Sequence, residues 1–166
     1  MFAGCTNLVN GPKLPATTME DSCYTGMFQG CASLTTAPVL PATTLADSCY
    51  KNMFYGCTDL EEAPELPAMT LADFCYQSMF YGCTSLTTAP ELRAATLDNY
   101  CYDEMFNFCR NLNSITCLAT DISAYNCTSE WVSDVSLTGT FTKASSMTGW
   151  TTGIDGIPSG WSIENA

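Results

Sequence analysis

The sequence has no histidine and few basic residues. Lysine and arginine account for 5 of the 166 residues, aspartate and glutamate account for 17, and the formal net charge is −12. Nucleic acids and anionic membrane surfaces bind basic patches, so this charge balance argues against both as partners. Without an imidazole, the chain also lacks the general base of Ser-His and Cys-His catalysis.

Several other signals are missing. No run of about 18 apolar residues could span a membrane. There is no glycine-rich phosphate loop, and the cysteines do not form the closely spaced pairs that zinc sites use. Neighbouring carboxylates such as Glu61 and Glu62 would point apart and could not serve one substrate. The sequence therefore predicts no enzymatic activity, no cofactor, no metal site and no membrane insertion.

What the sequence has instead is a repeat of 26 residues. Its columns of identical residues include the following sets: Cys5, Cys31, Cys57, Cys83 and Cys109; Leu8, Leu34, Leu60, Leu86 and Leu112; Leu14, Leu40, Leu66, Leu92 and Leu118; Pro12, Pro38, Pro64 and Pro90; and Cys23, Cys49, Cys75 and Cys101. Such a period marks an array in which each unit stacks on its neighbours. The pattern predicts an array over residues 1–133, with a partial first unit and a degenerate last one, and a C-terminal capping segment over residues 134–166.

The repeat columns begin at the first residue, so the sequence predicts no secretory signal peptide in this chain. Met1 falls in the column that Met27 and Met53 occupy later. We therefore expect the chain to be a piece of a longer array. Its uncovered first unit would then allow weak end-to-end self-association.

One half of each unit has the spacing of a helix. Thr70 and Asp73 are separated as in a capping box. Leu71, Cys75 and Met79 follow at intervals of four residues, which is typical of one apolar helix face. The pattern predicts short helices over residues 45–55, 71–81 and 97–107.

The other half of each unit contains a proline and should be extended. Proline disfavours helix at itself and at its predecessor, and it removes one donor from a strand ladder. We expect about three paired residues per strand, around Glu65 and Leu66. Narrow strands stacked beside wider helices would bend the array. The predicted fold class is therefore an α/β repeat solenoid, a leucine-rich-repeat-like arc with short parallel strands on one face, short helices on the other, and an irregular β-containing C-terminal cap.

The pattern between Leu34 and Leu60 resembles a known family. Its aromatic residue after Met53, followed by Gly56-Cys57 and then Leu60, is similar to the signature of BspA-like leucine-rich repeat proteins of anaerobic bacteria. The resemblance implies a non-enzymatic binding or adhesion module of a cell-surface or secreted, extracellular protein. The alternative function is a structural or self-assembling component, such as a phage virion or surface-layer protein.

A binding surface should lie where the columns vary between units on the strand side. The candidate residues there are Thr35, Thr36, Val39, Glu61, Glu62, Glu65, Thr87, Thr88 and Glu91. They predict a face with an acidic centre for a basic or polyhydroxylated partner, a protein or a glycan. The competing interpretation is a solvated polar face without a ligand.

The eleven cysteines do not form the pattern of a disulfide scaffold. Most of them fall in the two repeating columns, where a free cysteine acts as a small buried apolar residue. Helix spacing would place neighbouring thiols near 10 Å apart, too far for a disulfide. Cys117 falls in a variable column, so we expect it to be the exposed thiol.

Overall fold

Three short parallel strands are the only regular elements of the fold. The computed structural model describes all 166 residues and contains β1 Ser114–Cys117, β2 Thr140–Lys143 and β3 Ser162–Asn165. The strands form one sheet in the order β1-β2-β3, with Ser114 opposite Thr140 and Thr140 opposite Ser162. The structure contains no helix that is both long and apolar enough to cross a membrane.

The predicted α/β repeat solenoid is therefore wrong. None of the helices expected at residues 45–55, 71–81 and 97–107 forms. The strand side of the early units is reduced to isolated bridges, such as Thr36 with Glu62, and Glu65 and Leu66 make no bridge. The predicted curvature, which depended on helices being wider than strands, loses its basis.

Turns replace the expected helices. We call residues 21–30, 47–56, 73–82, 99–108 and 125–134 the turn segments, because each is a continuous series of turns. Every fourth residue in them has a left-handed backbone, for example Ser48 with φ 57°, Asn52 with φ 56° and Gly56 with φ 71°. A left-handed residue at this spacing reverses the local twist, so a right-handed helix cannot propagate.

Backbone hydrogen bonds in the turn segments alternate between two directions. The amide of Cys49 donates to Ala46 of its own unit at 3.2 Å, and the amide of the next residue, Tyr50, donates to Cys75 of the following unit at 3.0 Å. The same alternation continues through Gly56, whose amide reaches Tyr81 at 2.8 Å. Half of the amides thus close turns and half hold the units together.

This alternation explains why the polar backbone tolerates burial without a helix. A buried amide or carbonyl without a partner costs about 1–3 kcal/mol. In a helix these groups would be used within one segment, and nothing polar would join adjacent units. In the turn segments they are satisfied partly by the neighbouring unit, so each unit depends on the next for its conformation.

The predicted capping residues also act between units. The carboxylate of Asp73 accepts hydrogen bonds from the backbone amide of Asn99 at 3.1 Å and from the side-chain amide of Asn99 at 3.3 Å. The side-chain oxygen of Asn99 in turn accepts from the amide of Tyr125 at 3.0 Å. These side chains extend the hydrogen-bonded contact between units and do not cap a helix.

The repeated apolar columns form one continuous core, as predicted. Phe54, Phe80 and Phe106 are fully buried. Their rings stack with centroids 5.6 and 5.7 Å apart. This spacing is shorter than the 8–10 Å between packed helices. Aromatic pairs of this kind contribute about 0.5–1.5 kcal/mol each beyond the area they bury.

The buried cysteines of the Cys57 column have a specific partner. The thiol of Cys57 donates to the carbonyl of Phe28 at 3.2 Å, and that of Cys83 donates to Phe54 at 3.2 Å. Each carbonyl lies in the preceding unit. A cysteine at this position therefore fills apolar space and also adds a weak hydrogen bond between units.

A full strand forms only where the proline column ends. Pro90 has no counterpart in the next unit, where β1 begins at Ser114 and every residue has an amide to donate. One residue is also missing there relative to the earlier units. Thr88 pairs with Ser114, 26 positions on, but Leu92 pairs with Cys117, 25 positions on.

This one-residue deletion overturns the prediction for Cys117. Its side chain occupies the buried column of Leu92, not the exposed column of Glu91, and it is fully buried. Leu118 moves out of the leucine column and is only partly buried. The exposed thiols are instead Cys5 and Cys23, which lie near the amino terminus of the sequence.

Candidate functional site

The candidate binding residues lie on the side of the molecule that carries the proline column, which we call the proline side. Glu61 and Glu62 of one unit and Thr87 and Thr88 of the next line a shallow depression of about 430 Å³. All four residues are exposed. The backbone places them together because the proline segments of adjacent units run in parallel, as the bridge between Thr36 and Glu62 shows.

A second depression adjoins the first. It is lined by Glu65 and Glu91, has a volume of about 90 Å³, and shares Ala63 and Pro90 with its neighbour. Arg93 also lines it, and its guanidinium Nε lies 2.8 Å from the carboxylate of Glu91. Because both side chains are nearly half exposed, this ion pair contributes little to stability.

A third depression lies towards the first unit and is apolar. It has a volume of about 270 Å³ and is lined mainly by prolines, together with Val39, Leu14 and Lys13. Val39 is 76% exposed, which is unusual for a large aliphatic side chain. Thr35 and Thr36 line none of the three depressions and instead connect units through their backbone.

The chemistry of this face is dominated by hydrogen-bond acceptors. Ionised carboxylates accept hydrogen bonds and do not donate them. Glu61, Glu62 and Glu65 have no cation paired with them, and only Glu91 is partnered, by Arg93. The arrangement offers negative charge and acceptors, which are chemically complementary to the positive charge and donors of lysine or arginine side chains.

Arg93 was not among the predicted site residues. It stands in a column that holds proline in the earlier units, at Pro15, Pro41 and Pro67. The sequence alone shows that an arginine replaces the proline of the three earlier units at this position. A column that changes in one unit only gives a weaker signal of a binding surface than a column that changes in most units.

The turn segments carry two stacks of half-buried aromatic rings. Tyr55 and Tyr81 stack with centroids 4.5 Å apart and an interplanar angle of 4°. Phe74 and Tyr100 stack at 4.7 Å and 9°. Because the faces of these rings cover each other, mainly their edges remain for a ligand. The aromatic stacks of the turn segments are consequently a poorer binding surface than their aromatic content indicates.

Burial opposes nucleophilic activation of the core thiols. Burial raises the pKa of Cys57 and of Cys117 to about 12 in each case. A reactive cysteine needs the opposite shift, which positive charges or a helix N-terminus would provide. No three acidic or thiol side chains converge in a way that could hold a metal ion.

Comparisons of the chain with protein-family models, with curated proteins and with solved structures give no match. The resemblance to BspA-like proteins therefore rests on the repeat pattern alone. The family, and the function and location that it implies, stay predictions.

Proposed function

We propose that the chain is a non-enzymatic binding module of a bacterial cell-surface or secreted protein, and that its proline side docks a basic segment of a partner protein. The observation that carries this proposal is the pair of adjoining depressions with four exposed glutamates and one arginine. The extracellular location comes from the family resemblance.

A protein partner suits these depressions better than a glycan does. No aromatic ring lines any of the three depressions, so a sugar would find acceptors but no flat apolar surface to stack on. A lysine or arginine side chain would contribute both positive charge and hydrogen-bond donors. The neighbouring apolar depression at Val39 would accept the aliphatic part of such a segment.

The electrostatic field of the chain supports the same partner. Seventeen acids against five bases attract a basic partner from a distance, and the attraction falls as salt is added. The glutamates on the proline side would then fix where the partner docks. Binding should therefore weaken with ionic strength, mainly through a slower association rate.

The experiment begins with an array of host and microbial proteins and an array of glycans, both probed with the purified chain. A hit is then titrated against the double variant Glu61→Gln with Glu62→Gln. The matched control is Glu20→Gln with Glu130→Gln, which removes the same charge from exposed positions outside the depressions. We expect roughly tenfold weaker binding for the first variant and little change for the control.

Two outcomes would contradict the proposal. Equal weakening by both double variants would mean that only the total charge matters. Hits confined to the glycan array would assign the surface to another class of ligand.

A further inference from the structure

The apolar depression and the second depression of the proline side are one feature, repeated along the array. The proline column numbers the units, with units one to four at Pro12, Pro38, Pro64 and Pro90. The apolar depression lies between residues 11–15 of unit one and residues 38–41 of unit two. The second depression lies between residues 63–67 of unit three and residues 90–93 of unit four, in the same columns two units on. Each is formed by two adjoining units on the flank of the array, and neither is formed by an end of the array.

The spacing of the units sets the distance between these two depressions. The proline segments run in parallel, with bridges from Asn10 to Thr36 and from Thr36 to Glu62. Parallel strands lie about 4.8 Å apart, so depressions that are two units apart are separated by about 9.6 Å along the array. A ligand that lies along the array and fills both must present side chains on one face at this distance.

Among regular peptide conformations, polyproline II matches this distance best. It has three residues per turn and rises about 3.1 Å per residue, so every third side chain returns to the same face after about 9.3 Å. An extended strand returns to the same face after about 6.6 Å or about 13.2 Å. An α-helix presents residues seven apart on one face, at a distance of about 10.5 Å. A polyproline II segment therefore presents residues i and i+3 to the two depressions.

The prolines around the apolar depression favour the same conformation. Pro12, Pro15, Pro38 and Pro41 line it and contribute no backbone amide donors. A ligand in a β-strand needs such donors to form a ladder, whereas the backbone of a polyproline II segment is hydrogen-bonded to water. The surface therefore suits a ligand that binds through its side chains.

The acidic end of this line offers backbone acceptors as well as carboxylates. Bridges on the proline side join unit one to unit two, unit two to unit three, and unit four to unit five. Between units three and four, no backbone hydrogen bond joins residues 61–63 to residues 87–89. The carbonyls of Glu61 and Glu62 accept no backbone hydrogen bond, and both residues line the depression of about 430 Å³ at this interruption. A guanidinium group, with its five donors in a plane, can bond to several of these acceptors at once.

We propose that the basic partner segment docks on the proline side as a polyproline II helix that runs along the array. An apolar side chain at position i occupies the apolar depression against Val39. An arginine at position i+3 occupies the acidic depressions beside Glu61, Glu62 and Glu65. This inference rests on the proposed function above and adds the conformation and the residue spacing of the partner.

The test compares synthetic fluorescein-labelled peptides by fluorescence anisotropy, with the full chain as titrant at low salt. The first peptide is Pro-Pro-Leu-Pro-Pro-Arg-Pro-Pro, in which leucine and arginine are three residues apart. Its matched control, Pro-Pro-Leu-Pro-Arg-Pro-Pro-Pro, has the same composition and charge, but the two side chains are two residues apart and point in different directions. Only one of them can then reach its depression, so we expect the control to bind at least about fivefold more weakly. A third peptide, an alanine-based helix with leucine and arginine seven residues apart, tests the helical alternative.

A protein variant locates the apolar contact. Val39→Asp should weaken binding of the first peptide at least about fivefold, because it places a charge in the apolar depression. The matched control is Leu137→Asp, which makes the same change of charge at a residue that is 88% exposed and lines none of the depressions of the proline side. An unchanged unfolding midpoint will show that each variant is folded.

This inference and the proposed function fail in different ways. Equal binding of all three peptides, each weakened by Glu61→Gln with Glu62→Gln, would leave the basic docking face in place and overturn the polyproline II geometry. Tighter binding of the helical peptide, or equal effects of Val39→Asp and Leu137→Asp, would also overturn that geometry alone. No binding of any of the three basic peptides would overturn both.

Discussion

A glycine and an alanine substituted at a left-handed residue of a turn segment should differ in stability. Glycine should be the more stable of the two in a turn, and alanine should be the more stable in a helix. Ser48 lies within the segment that the sequence predicts as helical, but its φ is 57°. Its side chain makes no hydrogen bond, so substitution there tests the backbone alone. We compare Ser48→Gly with Ser48→Ala.

The magnitude follows from the backbone conformation. A left-handed residue with a Cβ costs roughly 1–2 kcal/mol, and glycine relieves that cost but adds freedom to the unfolded chain. We expect the glycine variant to be about 1 kcal/mol more stable than the alanine variant. In a helix the order reverses, because alanine stabilises a helix interior by about 1 kcal/mol more than glycine does. The expected stability difference between the glycine and alanine variants therefore changes by about 2 kcal/mol between a turn and a helix.

Urea unfolding followed by tryptophan fluorescence provides the measurement, with the free energy of unfolding taken by linear extrapolation. For a chain of this length 1 kcal/mol also shifts the melting temperature by roughly 2–4 °C. Ala46→Gly is the control, because Ala46 lies in the same region without a left-handed backbone and should lose stability. An alanine variant at Ser48 that is more stable than the glycine variant would refute the turn structure.

Two further predictions concern the cysteines. Alkylation of the native protein, read by mass spectrometry, should label Cys5 and Cys23 first and leave Cys117 unmodified, since only the first two are exposed; rapid labelling of Cys117 would contradict its place in the core. Burial raises the pKa of Cys49 to about 11 and that of Cys117 to about 12, so the folded state favours the neutral thiols. This contribution to stability is complete below the unfolded pKa of about 8.5 and is lost as pH rises towards the folded values, by up to about 1.4 kcal/mol per pH unit and thiol. The free energy of unfolding should therefore be lower at pH 10 than at pH 8. Equal free energies at the two pH values would contradict the burial of these thiols.

The sequence was sufficient to predict which columns are buried, because identity at a fixed interval reports packing directly. Phe54, Met79 and Cys101 are buried as predicted. It was not sufficient to predict the local conformation that buries them. Turns that repeat every four residues place apolar side chains at the same intervals as a helix, so Leu71, Cys75 and Met79 fit both structures.

A clue to the turns was present but incomplete. Gly26, Gly30 and Asn52 are residues that tolerate a left-handed backbone, and they stand at the critical positions. Phe74 and Tyr100 stand at equivalent positions and obscure the pattern, because bulky residues rarely adopt positive φ. Their rings stack on each other, and this contact offsets part of the backbone cost.

The candidate site, too, could be predicted only in part from the sequence. Exposure of Glu62, Thr88 and Glu91 could be predicted, because those columns vary while their neighbours stay apolar. The ion pair of Arg93 with Glu91 could not, since it depends on the path of the chain between two residues. The misplacement of Cys117 arose from a deletion that a fixed period cannot show.

Alternate amides of the turn segments bond to the next unit, and this pattern distinguishes the structure from an array of helices. Hydrogen-bond scalar couplings in an NMR spectrum measure this directly. The structure predicts a coupling between the amide nitrogen of Tyr50 and the carbonyl carbon of Cys75, whose oxygen accepts the hydrogen bond at 3.0 Å from that nitrogen. A coupling from Tyr50 to Ala46, four residues earlier, would be the hydrogen bond of a helix and would contradict the account.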